Sequence, residues 1–285
     1  MKSILMVGQS NMAGRGFLTA VPPILNDHLR MLRNGRWQQL AEPVNVDREV
    51  AGVGLAPAFA QAWSADHPTE TLGLIPCAEG GSALAEWAPD APLMRHAISE
   101  AHFAQETSEI IAILWHQGEN DSLDHHYRTY QNQLTHTLTH LRTALNLPAV
   151  PIILGGLPAF LGQHGFGLSA TEAPQIDAQI RQTAAELPQA YFVTAADLTA
   201  NPDGIHLNAP SQRRFGVRYY QAFHQRADVL APLADEAQRV ATLTAHPLTA
   251  AETLYLQSKR FALGQTTFDE FMAAVQASRS GEADA

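Results

Sequence analysis

The chain has 285 residues, with 18 Lys and Arg side chains against 28 Asp and Glu, a formal net charge of −10. This negative balance argues against a nucleic-acid partner and against binding to an anionic membrane surface. No apolar run is long enough to cross a bilayer, and the short run after Lys2 ends at Gly8 without the features of a signal peptide. The single cysteine, Cys77, excludes an internal disulfide. We therefore expect a cytoplasmic protein.

Short apolar runs alternate with longer helical patterns over most of the chain. Helical spacing of apolar residues and capping signals predict four main helices, over residues 55–65, 122–145, 173–186 and 208–226. The apolar runs predict five strands, over residues 3–7, 71–78, 110–115, 150–155 and 190–194. Strands separated by helices indicate an α/β fold, with a five-stranded parallel sheet in a three-layer α/β/α arrangement. Sites in such folds form at the carboxyl ends of the strands.

Two segments depart from this alternation. Residues 26–53 contain Gly, Pro and scattered charge, and we interpret them as a long excursion that shapes a pocket. After residue 228, two capping-box patterns predict a helical hairpin over residues 249–277. We assign residues 1–228 to the main domain and residues 229–285 to a helical extension, which is a candidate for homo-oligomer contacts or docking.

Four short motifs fall at predicted strand ends or just before the last helix of the main domain. Together they offer a nucleophile, glycine amides, side-chain amides and an acid–base pair, which is what acyl transfer requires. Each motif alone also fits a turn, a helix cap or a flexible loop. The motifs are Gly8-Gln9-Ser10-Asn11-Met12, Cys77-Ala78-Glu79-Gly80-Gly81-Ser82, Trp115-His116-Gln117-Gly118-Glu119-Asn120-Asp121 and Asp203-Gly204-Ile205-His206.

In this order the motifs resemble the SGNH hydrolase superfamily, and specifically its branch of sialate O-acetylesterase-like and acetylxylan-esterase-like proteins. The Gly-Gln-Ser-Asn-Met opening and the Trp-x-Gln-Gly-Glu block are typical of that branch. The resemblance covers about residues 1–226. It implies a flavodoxin-like fold and a serine esterase that removes O-acetyl groups from a carbohydrate through an acyl-enzyme, with no metal or organic cofactor.

The resemblance implies a role for each matching catalytic position. Ser10 matches the nucleophile, His206 the general base and Asp203 the acid that orients it. The spacing of three residues between Asp203 and His206 also lets the carboxylate reach Nδ1 of the imidazole, leaving Nε2 free for a serine from another strand end. Glu119 is the alternative or additional acid.

The resemblance likewise implies three oxyanion-hole donors, namely the backbone N–H groups of Ser10 and Gly81 and the side-chain amide of Gln117. Gly80 is the alternative for the second backbone donor, since the sequence does not place the turn. Asn120 is the alternative to Gln117 for the side-chain amide.

Four further residues are candidates for substrate binding. Trp87 and Trp115 can form a platform for a sugar ring, or simply pack in the core. Arg15 can contact a substrate carboxylate, or lie on the surface. Gln9 stands beside the nucleophile. Two other functions remain open: a short-chain lipid esterase or thioesterase of the same fold, and a non-catalytic carbohydrate-binding or scaffolding protein.

Overall fold

A computed structural model describes residues 1–283 and, within them, a sheet of seven strands in the order β3-β2-β4-β1-β5-β6-β7. Neighbouring strands are parallel except for the antiparallel pair β2–β3. The strands are β1 (Lys2–Gly8), β2 (Leu29–Arg33), β3 (Arg36–Gln39), β4 (Leu72–Pro76), β5 (Glu109–His116), β6 (Ile152–Gly155) and β7 (Ala190–Val193). The helices are α1 (Ser10–Ala13), α2 (Ala56–Asp66), α3 (Pro92–Gln105), α4 (Tyr127–Ala144), α5 (Ala173–Glu186), α6 (Ala209–Gln225), α7 (Glu236–Thr242), α8 (Ala250–Ala262) and α9 (Phe268–Ala283).

The three-layer α/β/α arrangement is correct, and each face of the sheet has its own core. On one face, Ile4 and Met6 of β1 belong to a buried cluster with α2 and α6. On the other, Leu5 and Val7 belong to a cluster with α3, α4 and α5. Successive side chains of a strand point to opposite faces, and strands covered on both faces are apolar throughout. This explains why the sequence shows unbroken apolar runs.

The prediction of a five-stranded, wholly parallel sheet is wrong in the number of strands, and one of the additional strands, β3, is antiparallel to its neighbour. All five predicted strands are present, but residues 26–53 contribute two more, β2 and β3. These form a hairpin whose turn is Asn34-Gly35, with φ values of 52° and 71°. An Asn-Gly pair with positive φ at both positions is the preferred two-residue hairpin connection. The hairpin lies at the edge of the sheet, where β2 pairs in parallel with β4.

The predicted hairpin after residue 228 is present as α8 and α9. Thr249 caps α8 by accepting a hydrogen bond from the Glu252 N–H at 3.1 Å, as the capping-box pattern predicts. Before it, the buried Glu236 of α7 pairs with Arg214 and Arg218 of α6, each at 2.5 Å. These ion pairs tie the extension to the main domain. Residues 284–285 of the predicted extension lie outside the described residues.

None of the helices within residues 1–283 combines the length and the apolarity needed to span a membrane.

Candidate active site

Ser10 is placed by the abrupt end of β1. Gly8 has a φ of 130°, and a Cβ added there would lie 2.1 Å from the carbonyl oxygen of His116 on β5. Only glycine fits such a backbone contact and such a φ. The chain then turns into α1, with the Gln9 N–H donating to His116 O at 2.8 Å. Ser10 is the first residue of this helix, so its backbone N–H has no acceptor within the helix.

The side chains of Ser10, His206 and Asp203 form one hydrogen-bonded chain. His206 Nε2 lies 3.0 Å from Ser10 Oγ, and its Nδ1 lies 2.9 Å from Asp203 Oδ2. Burial opposes ionisation of Asp203, but hydrogen bonds from the His206 N–H, the imidazole and the Ile205 N–H outweigh it and lower the pKa of this carboxyl below 3.8. The carboxylate is therefore ionised at neutral pH and accepts the Nδ1 proton, so Nε2 can take a proton from the serine.

Asn11 fixes the position of His206 relative to Ser10. Its Nδ2 donates to Ile205 O at 3.1 Å, and its Oδ1 accepts from Leu207 N–H at 2.8 Å. The side chain thus holds the peptide groups on both sides of His206, while its own backbone adjoins Ser10. The sequence offered Asn11 only as part of the first motif, without a role.

Glu119 is a hydrogen-bond partner of Asn11. The residue is buried, and its Oε1 accepts from Asn11 Nδ2 at 2.5 Å and faces His116 Nε2 at 2.9 Å. Burial alone would raise the pKa of Glu119, but the neighbouring His116 and the hydrogen bonds lower it below 4.5. Among the hydrogen bonds of the described residues, none joins Glu119 to His206. The carboxylate that contacts His206 is Asp203, whereas Glu119 is linked to the backbone beside His206 through Asn11.

The loop after β4 carries Gly80 and Gly81, and it contacts Asn120 in the loop after β5. The Gly80 N–H donates to Asp47 Oδ2 at 2.8 Å, so this amide is engaged within the protein. Gly81 has a φ of 77°, and a Cβ added there would meet no described heavy atom within 4 Å. Its carbonyl oxygen accepts from Asn120 Nδ2 at 3.0 Å. Of the two glycines, Gly81 is therefore the one beside open space.

The prediction that Gln117 supplies the side-chain amide is wrong. Gln117 is fully buried, and its Nε2 donates to Ser82 O at 3.1 Å and to Asp121 Oδ2 at 2.5 Å. Its Oε1 accepts from the Tyr130 hydroxyl at 2.9 Å. Because both amide hydrogens are used, none remains for a ligand. Asn120, the alternative, is exposed and has spent one of its two amide hydrogens on Gly81.

Asp47 holds the glycine loop in place. Besides Gly80, it binds the buried Arg15, with Nη2 to Oδ2 at 2.5 Å. Burial opposes ionisation of Asp47, but the Arg15 guanidinium and the Gly80 N–H lower its pKa below 3.8. Asn45 adds two hydrogen bonds to the backbone of Ala78, at 2.8 and 3.2 Å. Residues 26–53 line the cleft described below, as predicted from the sequence, but their role in anchoring the loop after β4 was not predicted.

The predicted sugar platform is wrong. Trp87 and Trp115 are both fully buried in the core, packed edge to face with ring centroids 5.6 Å apart. The indole N–H of Trp87 donates to Ser82 Oγ at 3.0 Å. Trp87 thereby supports the loop after β4, and burial keeps both indoles out of reach of a ligand.

Gln9 and Arg15 are also committed within the protein. Gln9 is buried, and its Oε1 accepts from Gly118 N–H at 3.2 Å and from Asn120 N–H at 3.4 Å. Arg15 is buried rather than on the surface, and its charge is matched by Asp47. The guanidinium is therefore not a free partner for a substrate carboxylate.

A cleft of about 560 Å³ opens beside His206 and Asp203. It lies between the segment that directly follows α1, the end of residues 26–53, and the loops that precede α5 and α6. Its lining consists of Arg15, Gly16, Phe17, Leu18, Thr19, Val50, Ala51, Gly52, Phe166, Asn201, Asp203 and His206.

Ser10, Gly81 and Asn120 follow β1, β4 and β5, so all three lie at the carboxyl ends of neighbouring strands of the sheet. Residues 1–225 match the family described as carbohydrate esterase, sialic acid-specific acetylesterase. The chain belongs to this family and is a carboxylic-ester hydrolase.

Two proteins of known description are similar to this chain. A probable carbohydrate esterase of Arabidopsis thaliana is 32% identical over an alignment of 241 residues, and the match covers 77% of this chain and 88% of the plant protein. The X-ray structure of that protein superposes with a TM-score of 0.70 at 28% identity, covering 79% of this chain and 98% of the other. A carbohydrate acetylesterase from Xanthomonas citri shares the fold, with a TM-score of 0.58 at 20% identity over 78% of this chain and 55% of that one.

Proposed function

We propose that the protein is a serine esterase that removes O-acetyl groups from a carbohydrate through an acyl-enzyme. The observation that carries the proposal is the Ser10–His206–Asp203 chain, with contacts of 3.0 and 2.9 Å. Membership of a carbohydrate esterase family supports an acetylated sugar as substrate, whether a sialic acid, a xylan-type sugar or another.

In this mechanism His206 Nε2 removes the proton of Ser10 as Oγ attacks the ester carbonyl. The Asp203 carboxylate holds the imidazole by its Nδ1–H and stabilises the imidazolium that forms. His206 then gives the proton to the departing sugar hydroxyl, leaving an acetyl group on Ser10. Water attacks this acetyl-enzyme, again with His206 as base, and releases acetate and the free serine.

The negative charge on the carbonyl oxygen requires donors aimed at it. The proposal assigns this role to the backbone N–H groups of Ser10 and Gly81 and to Asn120 Nδ2. Supporting it, Asn120 lies within 3.0 Å of the Gly81 carbonyl and keeps a second amide hydrogen. Asn120 replaces Gln117, whose amide is used inside the protein.

Replacing Asn120 by alanine is expected to lower kcat on an acetyl ester by on the order of 100-fold, because one oxyanion donor is lost. KM should change little, since the donor acts mainly in the transition state. Steady-state kinetics measures both values. The matched control is Gln175→Ala, which removes an exposed amide on α5 and should leave kcat intact. An unchanged kcat for Asn120→Ala would remove Asn120 from the oxyanion hole.

The covalent intermediate gives the direct test of the proposed function. An aryl fluorophosphonate should add one covalent group to the protein, mapped to Ser10 by peptide mass spectrometry, and abolish hydrolysis of aryl acetates. Activity should fall as the acyl chain lengthens beyond acetyl, and acetate should be released from O-acetylated sugars. Preference for long acyl chains or thioesters would instead support a lipid esterase or thioesterase. No hydrolysis of any ester and no labelling of Ser10 would refute the esterase mechanism.

A further inference from the structure

The cleft beside His206 is lined by large apolar side chains that are exposed and do not belong to the hydrophobic core. Phe17, Leu18, Val50 and Phe166 line it and are 57%, 47%, 70% and 75% exposed. Large apolar side chains gathered in an exposed patch mark a binding surface. These four come from three separate segments of the chain, so the patch is made by the fold and not by one apolar run.

Four of the five polar side chains that line the cleft, those of Arg15, Asn201, Asp203 and His206, form hydrogen bonds within the protein. Asn201 Nδ2 donates to Arg15 O at 2.7 Å, and the Arg15 guanidinium is paired with Asp47. Asp203 and His206 are paired with each other. A ligand in the cleft therefore meets mainly apolar surface, with the exposed Thr19 and the edge of the imidazole as the polar exceptions.

The position of the cleft decides which part of an ester it faces. Among the described residues, those lining it include His206 and Asp203 but neither Gly81 nor Asn120. The acyl carbonyl of a substrate must lie at the oxyanion donors, whereas the leaving alcohol must lie at the imidazole, which returns its proton. The cleft is thus on the side of the alcohol.

Phe166 has a fixed position relative to the imidazole. Its N–H donates to Asp203 O at 2.8 Å. A Cβ added at Gly165 would lie 2.2 Å from the same carbonyl oxygen, and one at Gly167 would lie 2.1 Å from Gly204 O. The turn that carries Phe166 is therefore in direct backbone contact with the Asp203-Gly204 turn.

We infer that this cleft is a subsite for the alcohol part of the ester, and that it takes alcohols bearing an aryl or alkyl group. For a carbohydrate substrate, this means an acetylated sugar with an apolar aglycone or other apolar substituent near the acetylated hydroxyl. The inference rests on the proposed serine esterase function, and it adds the alcohol specificity of that site.

Three simple esters test the inference without knowledge of the sugar. Ethyl acetate and 3-phenylpropyl acetate have alcohols of similar acidity and differ in apolar size on the alcohol side. Ethyl 4-phenylbutanoate carries the phenyl group on the acyl side. We expect kcat/KM for 3-phenylpropyl acetate to exceed that for ethyl acetate at least about tenfold, because the phenyl group leaves water for the cleft. Ethyl 4-phenylbutanoate should show no such increase in kcat/KM over ethyl acetate.

The double variant Phe17→Ser/Phe166→Ser should reduce the ratio of the two acetate kcat/KM values to within about threefold of one, since most of the apolar contact is removed. The ratio is internal to each preparation and does not depend on the fraction of folded enzyme. The matched control is Leu168→Ser, an exposed leucine of the same turn that does not line the cleft, and it should keep the wild-type ratio.

Equal kcat/KM values for the two acetates in the wild type, or an unchanged ratio in the double variant, would overturn the subsite. A higher kcat/KM for ethyl 4-phenylbutanoate, with no gain for 3-phenylpropyl acetate, would place the apolar contact on the acyl half of the ester and would also overturn the subsite. Hydrolysis of neither acetate, together with no labelling of Ser10, would instead refute the esterase function on which the subsite rests.

Discussion

Ser10→Ala is expected to lower kcat for acetyl ester hydrolysis by on the order of 10⁵-fold, because no acyl-enzyme can form without the hydroxyl. The residual rate would come from binding and from the oxyanion donors acting on water. The hydroxyl contacts His206 Nε2 at 3.0 Å, so its loss removes a single hydrogen bond from a partly exposed partner. We therefore expect a stability change of only about 1 kcal/mol, measured as a small shift in Tm beside the loss of kcat.

The control for this experiment is Ser99→Ala, which removes an exposed hydroxyl on α3 and should leave both kcat and Tm unchanged. The fluorophosphonate adduct should also vanish in Ser10→Ala and persist in the control. Retention of most of the activity in Ser10→Ala, with wild-type Tm, would rule out Ser10 as the nucleophile and with it the acyl-enzyme mechanism.

The central part of the fold could be predicted from the sequence because its strands are covered on both faces. Such strands appear as continuous apolar runs, and all five were placed. The edge hairpin was missed because β2 and β3 are short and rich in Arg and Gln, so no apolar run marks them. The Asn34-Gly35 pair was the available signal, and it would have indicated a hairpin within residues 26–53.

The candidate site could be predicted where its residues depend on local sequence. Asp203 and His206 are three residues apart, and Ser10 follows directly from the end of β1, so short motifs were enough. The choice between Gln117 and Asn120 depends on the path of the loop, where Gly118 has a φ of 147° and a 3₁₀ turn begins at Glu119. That turn sends Gln117 inward and leaves Asn120 exposed.

Contacts between distant segments could not be predicted. Asp47 holds Gly80 across 33 residues, and Asn11 holds the peptide groups beside His206 across almost the whole main domain. Nothing in a single sequence pairs such positions. The indoles of Trp87 and Trp115 show the same limit, because an aromatic residue after a strand can lie in the core or in a cleft until the neighbouring segments are placed.

The sequence leaves open which carboxyl group orients His206, and a comparison of two variants tests this. Asp203→Asn is expected to lower kcat by on the order of 10⁴-fold, because an amide at this position can donate to Nδ1 and so impose the wrong tautomer. Glu119→Gln keeps an oxygen acceptor for Asn11 and is expected to cost less than about tenfold, the loss of one charge-assisted hydrogen bond. Steady-state kinetics at neutral pH measures both.

Both carboxyl groups have a pKa lowered from the ordinary value, so both are ionised at neutral pH and protonation does not distinguish them. Their positions do. Asp203 contacts the imidazole at 2.9 Å, whereas Glu119 contacts Asn11, which in turn holds the backbone beside His206. Asp203→Asn should therefore lose most of its kcat while keeping a Tm close to that of the wild type. Glu119→Gln should show a clearly lower Tm while losing less than about tenfold in kcat. The reverse pattern, with kcat lost in Glu119→Gln and kept in Asp203→Asn, would make Glu119 the orienting acid.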